Sequence, residues 1–313
     1  MRYRKLVFHV VPHGHRLSPC KLVFTRNLLT FVIYQRVVIL PWRIEVKHKC
    51  SQRYARPISM PQNFGVVLCG GEGKRLRPLT YYFQKAMIPV GTQQKPLLEY
   101  IVRLLAYHGL RRIILLVGYK GQQIVNYFNS GERYGVNISY VWDDPNYGGN
   151  GGALFNAYVR GFFEGSDNIL VYYGDILSDI NLSDFLSFHE RGQYAATLAL
   201  SPNYRVAVGV AELDGDRVVK LVEKPPLGKP VTIGVVAIRT KALEYLRELV
   251  EEKREVDIMG DFIRVLLERG LKVGGYLTNS FWFDLGTTEA YEKLDPVEVD
   301  RRFSFLFQSR ESP

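Results

Sequence analysis

The feature that most constrains the fold of this chain is a regular alternation of apolar strands and amphipathic helices after Phe64. Short apolar runs such as "FGVVLC" (64–69), "RRIILLVG" (111–118) and "NILVYYGD" (168–175) are typical of strands buried on both faces. The intervening segments, including "PLLEYIVRLLAYHG" and "GQQIVNYFNSG", have apolar residues at helical spacing. Repeated strand–helix–strand units predict an α/β domain with a mixed, mostly parallel sheet flanked by helices.

The pattern changes after Asn181. One further helix leads to strand-like runs without long helices between them: "YAATLAL", "AVGVAELDG", "RVVKLVEKP" and "VTIGVVAIR". The turn "LDGDRV" predicts a hairpin, because Asp-Gly favours tight turns between strands. Two more helices and the strands "KVGGYLT" and "FWFDLG" follow. We predict one α/β domain whose second half completes a site begun by the first.

Charge is distributed unevenly along the 313 residues. Residues 1–59 contain 12 Lys and Arg side chains and one acid, Glu45, whereas residues 60–313 contain 29 basic and 30 acidic side chains. The net charge of +10 therefore belongs to the N-terminal extension, and the body is close to neutral. A neutral body argues against nucleic acid as its partner.

Residues 1–59 form a basic extension whose apolar stretch "NLLTFVIYQRVVILPW" is interrupted by Gln35 and Arg36. We therefore predict no stable membrane insertion. Three interpretations compete: an acid-poor targeting segment, a basic tail on membrane or nucleic acid, and residues upstream of the natural start. We favour the last because Met60 lies just before the first strand, and we expect 1–59 to be disordered and 60–313 to be the catalytic domain.

The first strand ends in a glycine-rich loop, "CGGEGKRLRPLT". The dinucleotide pattern GxGxxG fails because Leu76 replaces its third Gly, and the P-loop pattern fails at Leu68 and Arg75. Glycines let backbone N–H groups approach an anion, and the Arg75 guanidinium can donate two hydrogen bonds to phosphate. The loop alone predicts an anion cradle, with a tight surface turn as the alternative.

The rest of the chain decides between these alternatives. "GGEGKRLRPLT" and "KAMIPVGTQQKPLLEY" resemble the signature of the sugar-1-phosphate nucleotidylyltransferases (NDP-sugar pyrophosphorylases), which join a nucleoside triphosphate to a sugar 1-phosphate and release pyrophosphate. The motifs "GGNGGALFNA", "YYGDIL", "VGVAELDG", "VEKP", "TIGVVAI" and "FWFDLGTTEAY" then follow in order. The resemblance covers residues 64–293 and implies a Rossmann-like fold of the nucleotide-diphospho-sugar transferase type.

The resemblance also implies the catalytic residues Arg75, Lys85, Asp175 and Asp284. Arg75 and Lys85 would contact the triphosphate, and Arg75 would also stabilise the departing pyrophosphate. Asp175 and Asp284 each end a strand and would hold Mg²⁺, a hard ion that combines carboxylates with phosphate oxygens and water. A lone Asp at a strand end is more often a turn cap, so the assignment depends on both motifs being present.

Two sets of substrate contacts follow from the same resemblance. The nucleotide contacts would be the strand-end and loop residues Leu68, Gly70, Gly71, Gly73, Gly149 and Asn150. The sugar-phosphate contacts would be Gly209, Glu223, Lys224 and Gly234. Lys224 would bind the phosphate and Glu223 would accept hydrogen bonds from sugar hydroxyls, although "VEKPP" alone could be an ordinary strand terminus.

Some positions depart from the family pattern. Asn150 and Gly151 replace a common Thr-Ala pair, which leaves the base preference open. Lys74 replaces a small Thr and adds charge to the loop. Cys69 stands where Ala is common, and we expect it to be a small buried residue.

Two further expectations concern features that the resemblance does not use. His108 and His189 are isolated, without metal-ligand spacing, and we expect both on helix surfaces. The sequence ends shortly after "FDLGTTEAY", so we expect no C-terminal β-helix of the kind that longer relatives carry.

The sequence thus predicts a Mg²⁺-dependent enzyme with a nucleoside triphosphate and a hexose 1-phosphate as substrates. Guanylyl, thymidylyl and uridylyl transfer are the leading possibilities; cytidylyl transfer and a non-catalytic regulator of the same fold are the alternatives. Three cysteines form no CxxC pair, which favours a reducing, cytoplasmic location. A homo-oligomer is compatible with the sequence, which does not give the oligomeric state.

Overall fold

A computed structural model describes residues 21–25, 28–33, 36–40 and 62–308. The contacts divide the chain into two units, residues 1–58 and 59–313. In the first unit, strands β1 (Lys21–Thr25), β2 (Leu28–Ile33) and β3 (Arg36–Leu40) form an antiparallel sheet in that order. The rest of residues 1–59 lies outside the described residues, so the interpretation of this extension stays a prediction.

The second unit is built on a seven-stranded sheet with the order β15-β11-β14-β9-β4-β7-β8. Its strands are β4 (Asn63–Cys69), β7 (Arg112–Val117), β8 (Asn137–Trp142), β9 (Asn168–Tyr173), β11 (Ala196–Ser201), β14 (Val231–Arg239) and β15 (Val273–Leu277). Every neighbouring pair is parallel except the two pairs that include β14. The predicted mixed, mostly parallel sheet is confirmed.

Smaller two-stranded sheets accompany it: β5 (Pro89–Val90) with β6 (Lys95–Pro96), β10 (Ile176–Ser178) with β16 (Trp282–Asp284), and β12 (Val210–Asp214) with β13 (Arg217–Val222). The last pair is the predicted Asp-Gly hairpin, with Gly215 at a φ of 57°. Every residue of β12 and β13 is exposed.

Helices cover both faces of the large sheet. They are α1 (Leu97–Tyr107), α2 (Gly121–Phe128), α3 (Gly149–Val159), α4 (Leu182–Gly192), α5 (Leu246–Glu252), α6 (Ile263–Glu268), α7 (Thr288–Lys293) and α8 (Pro296–Phe303). Short 3-10 turns lie at Lys74–Leu76, Leu79–Tyr81, Lys85–Met87, Glu132–Tyr134, Thr240–Tyr245 and Ser304–Leu306, and a π turn at Ile258–Phe262 precedes α6.

The central strands are apolar at consecutive positions because they are buried on both faces. Val66 and Val171 pack into one core cluster, whereas their chain neighbours Val67 and Leu170 pack into the other, on the opposite face. All four are fully buried. This two-sided burial explains why the sequence shows continuous apolar runs instead of an alternating pattern.

Two expectations about position are wrong. His189 lies on α4 but is completely buried, where Thr197 Oγ1 is 2.8 Å from its Nδ1 and Asn168 Oδ1 is 3.3 Å from its Nε2. Burial lowers its pKa to about 4, with a smaller contribution from Arg239. Asp175 does not end a strand: β9 ends at Tyr173, and Asp175 lies in the turn before β10.

His108 is half-buried just after α1, with its Nδ1 2.9 Å from Ser183 Oγ. Within residues 62–308, no helix is both long and apolar enough to span a bilayer. The same residues end in α8 and a 3-10 turn and include no β-helix.

Candidate active site

The candidate site lies at the carboxyl ends of β4, β7, β8 and β9, the edge where open α/β sheets bind ligands. The end of β4 approaches the turn after β9 so closely that a Cβ on Gly174 would lie 2.5 Å from the Leu68 carbonyl oxygen. Gly73, at a φ of 63°, directly precedes the 3-10 turn that carries Arg75. The Thr80 hydroxyl donates a hydrogen bond to the Gly73 carbonyl oxygen. These contacts hold the glycine loop at the sheet edge.

The two predicted metal ligands lie side by side, because Asp284 ends β16 and Asp175 directly precedes β10, the strand with which β16 pairs. Antiparallel pairing of β10 with β16 places Ile176 opposite Asp284, and the Leu285 N–H donates to the Asp175 carbonyl oxygen at 2.9 Å. Burial raises the pKa of the Asp284 carboxyl, and the nearby Asp175 carboxylate raises it further. Two adjacent carboxylates, with the charge of Asp284 disfavoured by burial and by Asp175, form a site for a cation.

Lys85 already supplies one positive charge at this position. Its Nζ forms an ion pair with Asp175 Oδ2, and both side chains are largely buried. The turn that carries Lys85 is fixed by Gln84, which is buried, donates to the Cys69 carbonyl oxygen and accepts from the Ala86 N–H. The ammonium group is therefore positioned by the end of β4.

Arg75 also lies near Asp284. A Cβ on Gly286 would lie 2.8 Å from Asp284 Oδ1 and 3.4 Å from Arg75 Nη2, so both side chains border this glycine. Among residues 62–308, Arg75 forms no ion pair within 4.0 Å. Lys74 instead pairs with Glu72 at 3.2 Å, so its charge is partly balanced within the loop.

Arg75, Lys85, Asp175 and Gly286, the last of which borders Asp284, line a cleft of about 590 Å³, which we call the phosphate cleft. It is lined by Leu68, Cys69, Gly71, Glu72, Gly73, Lys74, Arg75, Gln84, Lys85, Ala86, Asn150, Tyr173, Gly174, Asp175 and Gly286. Cys69 is buried as expected, and burial together with Asp175 and Asp143 raises the pKa of its thiol. A thiol held in the neutral form is a poor nucleophile.

A second cleft of about 610 Å³, which we call the base cleft, adjoins the first through Leu68, Gly71, Glu72 and Asn150. Its other lining residues include Gly70, Leu116, Asp143, Asp144, Tyr147, Gly149 and Ala153. All six predicted nucleotide contacts therefore line one cleft or the other. The Asn150 amide itself donates to Asp257 at 2.8 Å and accepts from the Ile258 N–H at 2.7 Å.

Comparison with known proteins gives the family. Residues 64–298 match the family model described as nucleotidyl transferase. A mannose-1-phosphate guanylyltransferase from Mycobacterium tuberculosis is 33% identical over 235 residues, covering 72% of this chain and 62% of the relative. The chain belongs to the nucleotidyl transferase family.

Other relatives carry different names. A low-salt glycan biosynthesis nucleotidyltransferase from Haloferax volcanii is 31% identical over 233 residues, and a UTP–glucose-1-phosphate uridylyltransferase from Synechocystis is 28% identical over 246 residues. Each alignment covers 72% of this chain, and 63% and 61% of the respective relative. This nucleotidyl transferase thus spans about three-fifths of the length of these curated relatives.

Solved structures agree on the fold. A Bacillus anthracis protein crystallised with sucrose superposes with a TM-score of 0.62 at 24% identity, covering 77% of this chain and 99% of that one. The Yersinia pseudotuberculosis protein HddC in complex with GMP-PN gives a TM-score of 0.56 at 23% identity, covering 76% and 99%. Because both sequence identities are below 25%, these structures support the fold of this nucleotidyl transferase and nothing further.

The predicted sugar-phosphate residues lie elsewhere in this nucleotidyl transferase, and within residues 62–308 none of them lines either cleft. Gly209 and Glu223 meet at the base of the hairpin, where a Cβ on Gly209 would lie 3.0 Å from Glu223 Oε2. Lys224 follows at a φ of 48°. Gly234 is nearer, because a Cβ there would lie 3.2 Å from the Cβ of Tyr173, which lines the phosphate cleft.

Sequence reasoning did not single out Gln84 or Asp143, two polar residues of the clefts. Gln84 directly precedes Lys85, and a polar residue between two short apolar segments is a weak signal for a buried hydrogen-bonding role. Asp143 follows β8, and an acid after a strand resembles an ordinary turn residue. Across residues 62–308, no group of three or more His, Cys, Asp or Glu side chains could hold a metal ion.

Proposed function

We propose that this chain transfers a nucleoside monophosphate from a nucleoside triphosphate to a hexose 1-phosphate, releasing pyrophosphate. The observation that carries the proposal is that Asp175 and Asp284 lie close to each other and to Lys85 and Arg75, beside a glycine-rich cleft. Family membership supports the same reaction. Mannose-1-phosphate guanylyl transfer and glucose-1-phosphate uridylyl or thymidylyl transfer are the leading forms, and the names of two relatives support the first two.

The proposed chemistry is a displacement at the α-phosphorus. An oxygen of the sugar phosphate forms a bond to this phosphorus while the bond to the β-phosphate oxygen breaks, and pyrophosphate leaves with its electron pair. No protein nucleophile is required, so positioning and charge neutralisation supply the catalysis. Arg75 and Lys85 would hold the triphosphate, and Arg75 would stabilise the charge that develops on pyrophosphate.

The donor set fits a hard divalent cation. Within residues 62–308, Asp175 and Asp284 offer two carboxylates, and no third acid joins them in a group that could hold a metal ion, which leaves the remaining positions to phosphate oxygens and water, as Mg²⁺ prefers. When bound there, Mg²⁺ would neutralise charge on the reacting phosphates. Glu223, Lys224, Gly209 and Gly234 would bind the sugar phosphate, and this role depends on the hairpin base lying over the cleft during the reaction.

Pyrophosphate release, measured with each nucleoside triphosphate against several hexose 1-phosphates and Mg²⁺, tests the proposal. We expect turnover with at least one pair and a nucleotide-sugar product of the corresponding mass. Nucleotide binding without turnover for any pair would instead favour a non-catalytic regulator of the same fold. We also propose a reducing, cytoplasmic location, since Cys69 is an unpaired thiol.

A further inference from the structure

The base cleft contains one carboxylate without an internal partner, that of Asp143. The Asp143 N–H donates to the Val117 carbonyl oxygen at 2.8 Å, but within residues 62–308 its side chain has no hydrogen bond or ion pair. The neighbouring Asp144 differs, because its Oδ1 accepts from the backbone N–H and the side-chain amide of Asn146, both at 2.9 Å. Asp143 is thus the acid of this cleft that is available to a ligand.

Two glycines fix the position of this carboxylate. A Cβ on Gly118 would lie 1.8 Å from Asp143 Oδ2, and a Cβ on Gly70 would lie 2.6 Å from the same atom. A larger residue at either position would displace the carboxylate. The ends of β4 and β7 therefore form a notch that holds the carboxylate at the floor of the cleft, and burial there raises its pKa.

The surroundings of Asp143 suit a planar heterocycle. Leu68, Leu116, Ala153 and Tyr147 give the base cleft apolar walls, against which a nucleobase can pack. Leu68 and Gly71 also line the phosphate cleft, so a nucleotide with its base near Asp143 extends its phosphates toward Arg75 and Lys85.

We propose that Asp143 reads the base of the nucleotide and selects guanine. A carboxylate has two oxygens that only accept hydrogen bonds. Guanine presents two adjacent donors, N1–H and the N2 amino group, which match both oxygens. Uracil and thymine offer a single N3–H between two carbonyl groups, and cytosine and adenine place a ring nitrogen acceptor beside their amino group, where it faces the carboxylate.

This inference rests on the proposed nucleotidyl transfer and names its base. The test compares kcat/KM of the full chain for GTP, ITP, UTP, dTTP, CTP and ATP with one accepted sugar 1-phosphate, and the binding of GMP, IMP and UMP by calorimetry. ITP lacks only the N2 amino group. We expect GTP to exceed ITP by about 10-fold and the other nucleotides by about 10- to 100-fold, as for a bidentate pairing.

The variant Asp143→Asn replaces one acceptor by a donor. We expect it to lose activity with GTP by about 10- to 100-fold, to bring the GTP to ITP ratio close to one, and to improve relative use of UTP, whose N3–H and O4 match an amide. Asp144→Asn changes the neighbouring acid of the same cleft for comparison. Asp167→Asn, at an exposed acid that lines neither cleft, is the matched control and should keep the guanine preference, since an amide oxygen can still accept from the Gln62 N–H.

Several results would overturn the inference: a wild-type preference for UTP or dTTP, a wild-type GTP to ITP ratio of one, or a guanine preference lost in Asp144→Asn instead. An equal loss for all ribonucleotides in Asp143→Asn would assign the carboxylate to the ribose hydroxyls. Selective GMP binding that Asp143→Asn removes, with no turnover for any pair, would refute the proposed reaction but support base selection. The wild-type ratio needs no variant, so the test stands even if Asp143→Asn does not fold.

Discussion

The proposed site has two halves, the phosphate cleft and the hairpin of β12 and β13, and they differ in burial. The cleft is built on strand ends of the central sheet, where Val67, Leu170 and Tyr172 are fully buried. The hairpin exposes every residue, including Leu213 at 64% and Leu221 at 69%. An isolated two-stranded ribbon has little stability of its own.

The difference shows how each half is positioned. Lys85 and Asp175 are held by strands that pack on both faces, so their geometry exists before any ligand binds. The hairpin is attached mainly at its base, where Tyr204 stacks on Trp282 with ring centroids 6.3 Å apart and Arg205 donates to the Lys224 carbonyl oxygen at 3.0 Å. We therefore expect nucleotide binding to be independent of the hairpin and transfer to depend on it.

The largest effect on activity is expected at the phosphate cleft. Asp284→Asn removes a carboxylate from the proposed metal site and should lower kcat by about 10³-fold, because charge neutralisation in the transition state is lost. Pyrophosphate release measures the loss, and an unchanged melting temperature shows that the fold is intact. Glu251→Gln, an exposed acid on α5, is the control and should be neutral. Near-normal turnover of Asp284→Asn would remove this residue from the site.

Matched leucine substitutions test the difference in packing. Leu170→Ala in β9 should lower the free energy of unfolding by about 3 kcal/mol, because it leaves a cavity in the core. Leu221→Ala in β13 should change it by less than about 0.5 kcal/mol, as for an exposed position. Denaturant unfolding at fixed protein concentration measures both. A cost for Leu221→Ala that grows with protein concentration would show that the hairpin is covered by a second copy.

The buried His189 makes the stability of the folded domain depend on pH. Its pKa in the folded protein is about 4, below the ordinary value of 6.5, so the unfolded chain takes up a proton first as the pH falls. Stability from this residue is complete above pH 6.5 and decreases toward pH 4, by about 3 kcal/mol. In His189→Gln the free energy of unfolding should fall by about 3 kcal/mol less between pH 6.5 and pH 4 than in the wild type. Urea unfolding at several pH values measures this difference. Parallel curves for both proteins would contradict the prediction.

The smallest effect is expected at the hairpin base. Glu223→Ala should raise KM for the sugar 1-phosphate by about 10-fold while leaving nucleotide affinity unchanged, because one hydrogen-bonding group for sugar hydroxyls is lost. Initial rates at varied concentrations of each substrate separate the two effects. Glu212→Ala, in the exposed hairpin strand β12, is the control. Weaker nucleotide binding with normal sugar KM would mean that the site is oriented in the opposite direction.

Prediction from sequence succeeded where burial left a clear pattern. Apolar runs located β4, β7 and β9, and the motifs around Lys85, Asp175 and Asp284 indicated side chains that the structure brings together. The sequence did not show where the hairpin base lies relative to the cleft, because the hairpin strands β12 and β13 are exposed on both faces and have no burial pattern. His189 was misplaced because its burial depends on partners from β9 and β11, Asn168 and Thr197, which helical spacing does not reveal.

The pairing of β10 with β16 has a consequence for synthesis of the chain. The strands that form the base cleft and most of the phosphate cleft emerge from the ribosome well before Trp282–Asp284, which closes against Ile176–Ser178. A chain interrupted between β15 and β16 retains all seven strands of the large sheet, the glycine loop, Lys85 and Asp175 but lacks the second carboxylate. We expect such a fragment to bind nucleotide without converting it. Only a chain translated through Asp284 would then be active.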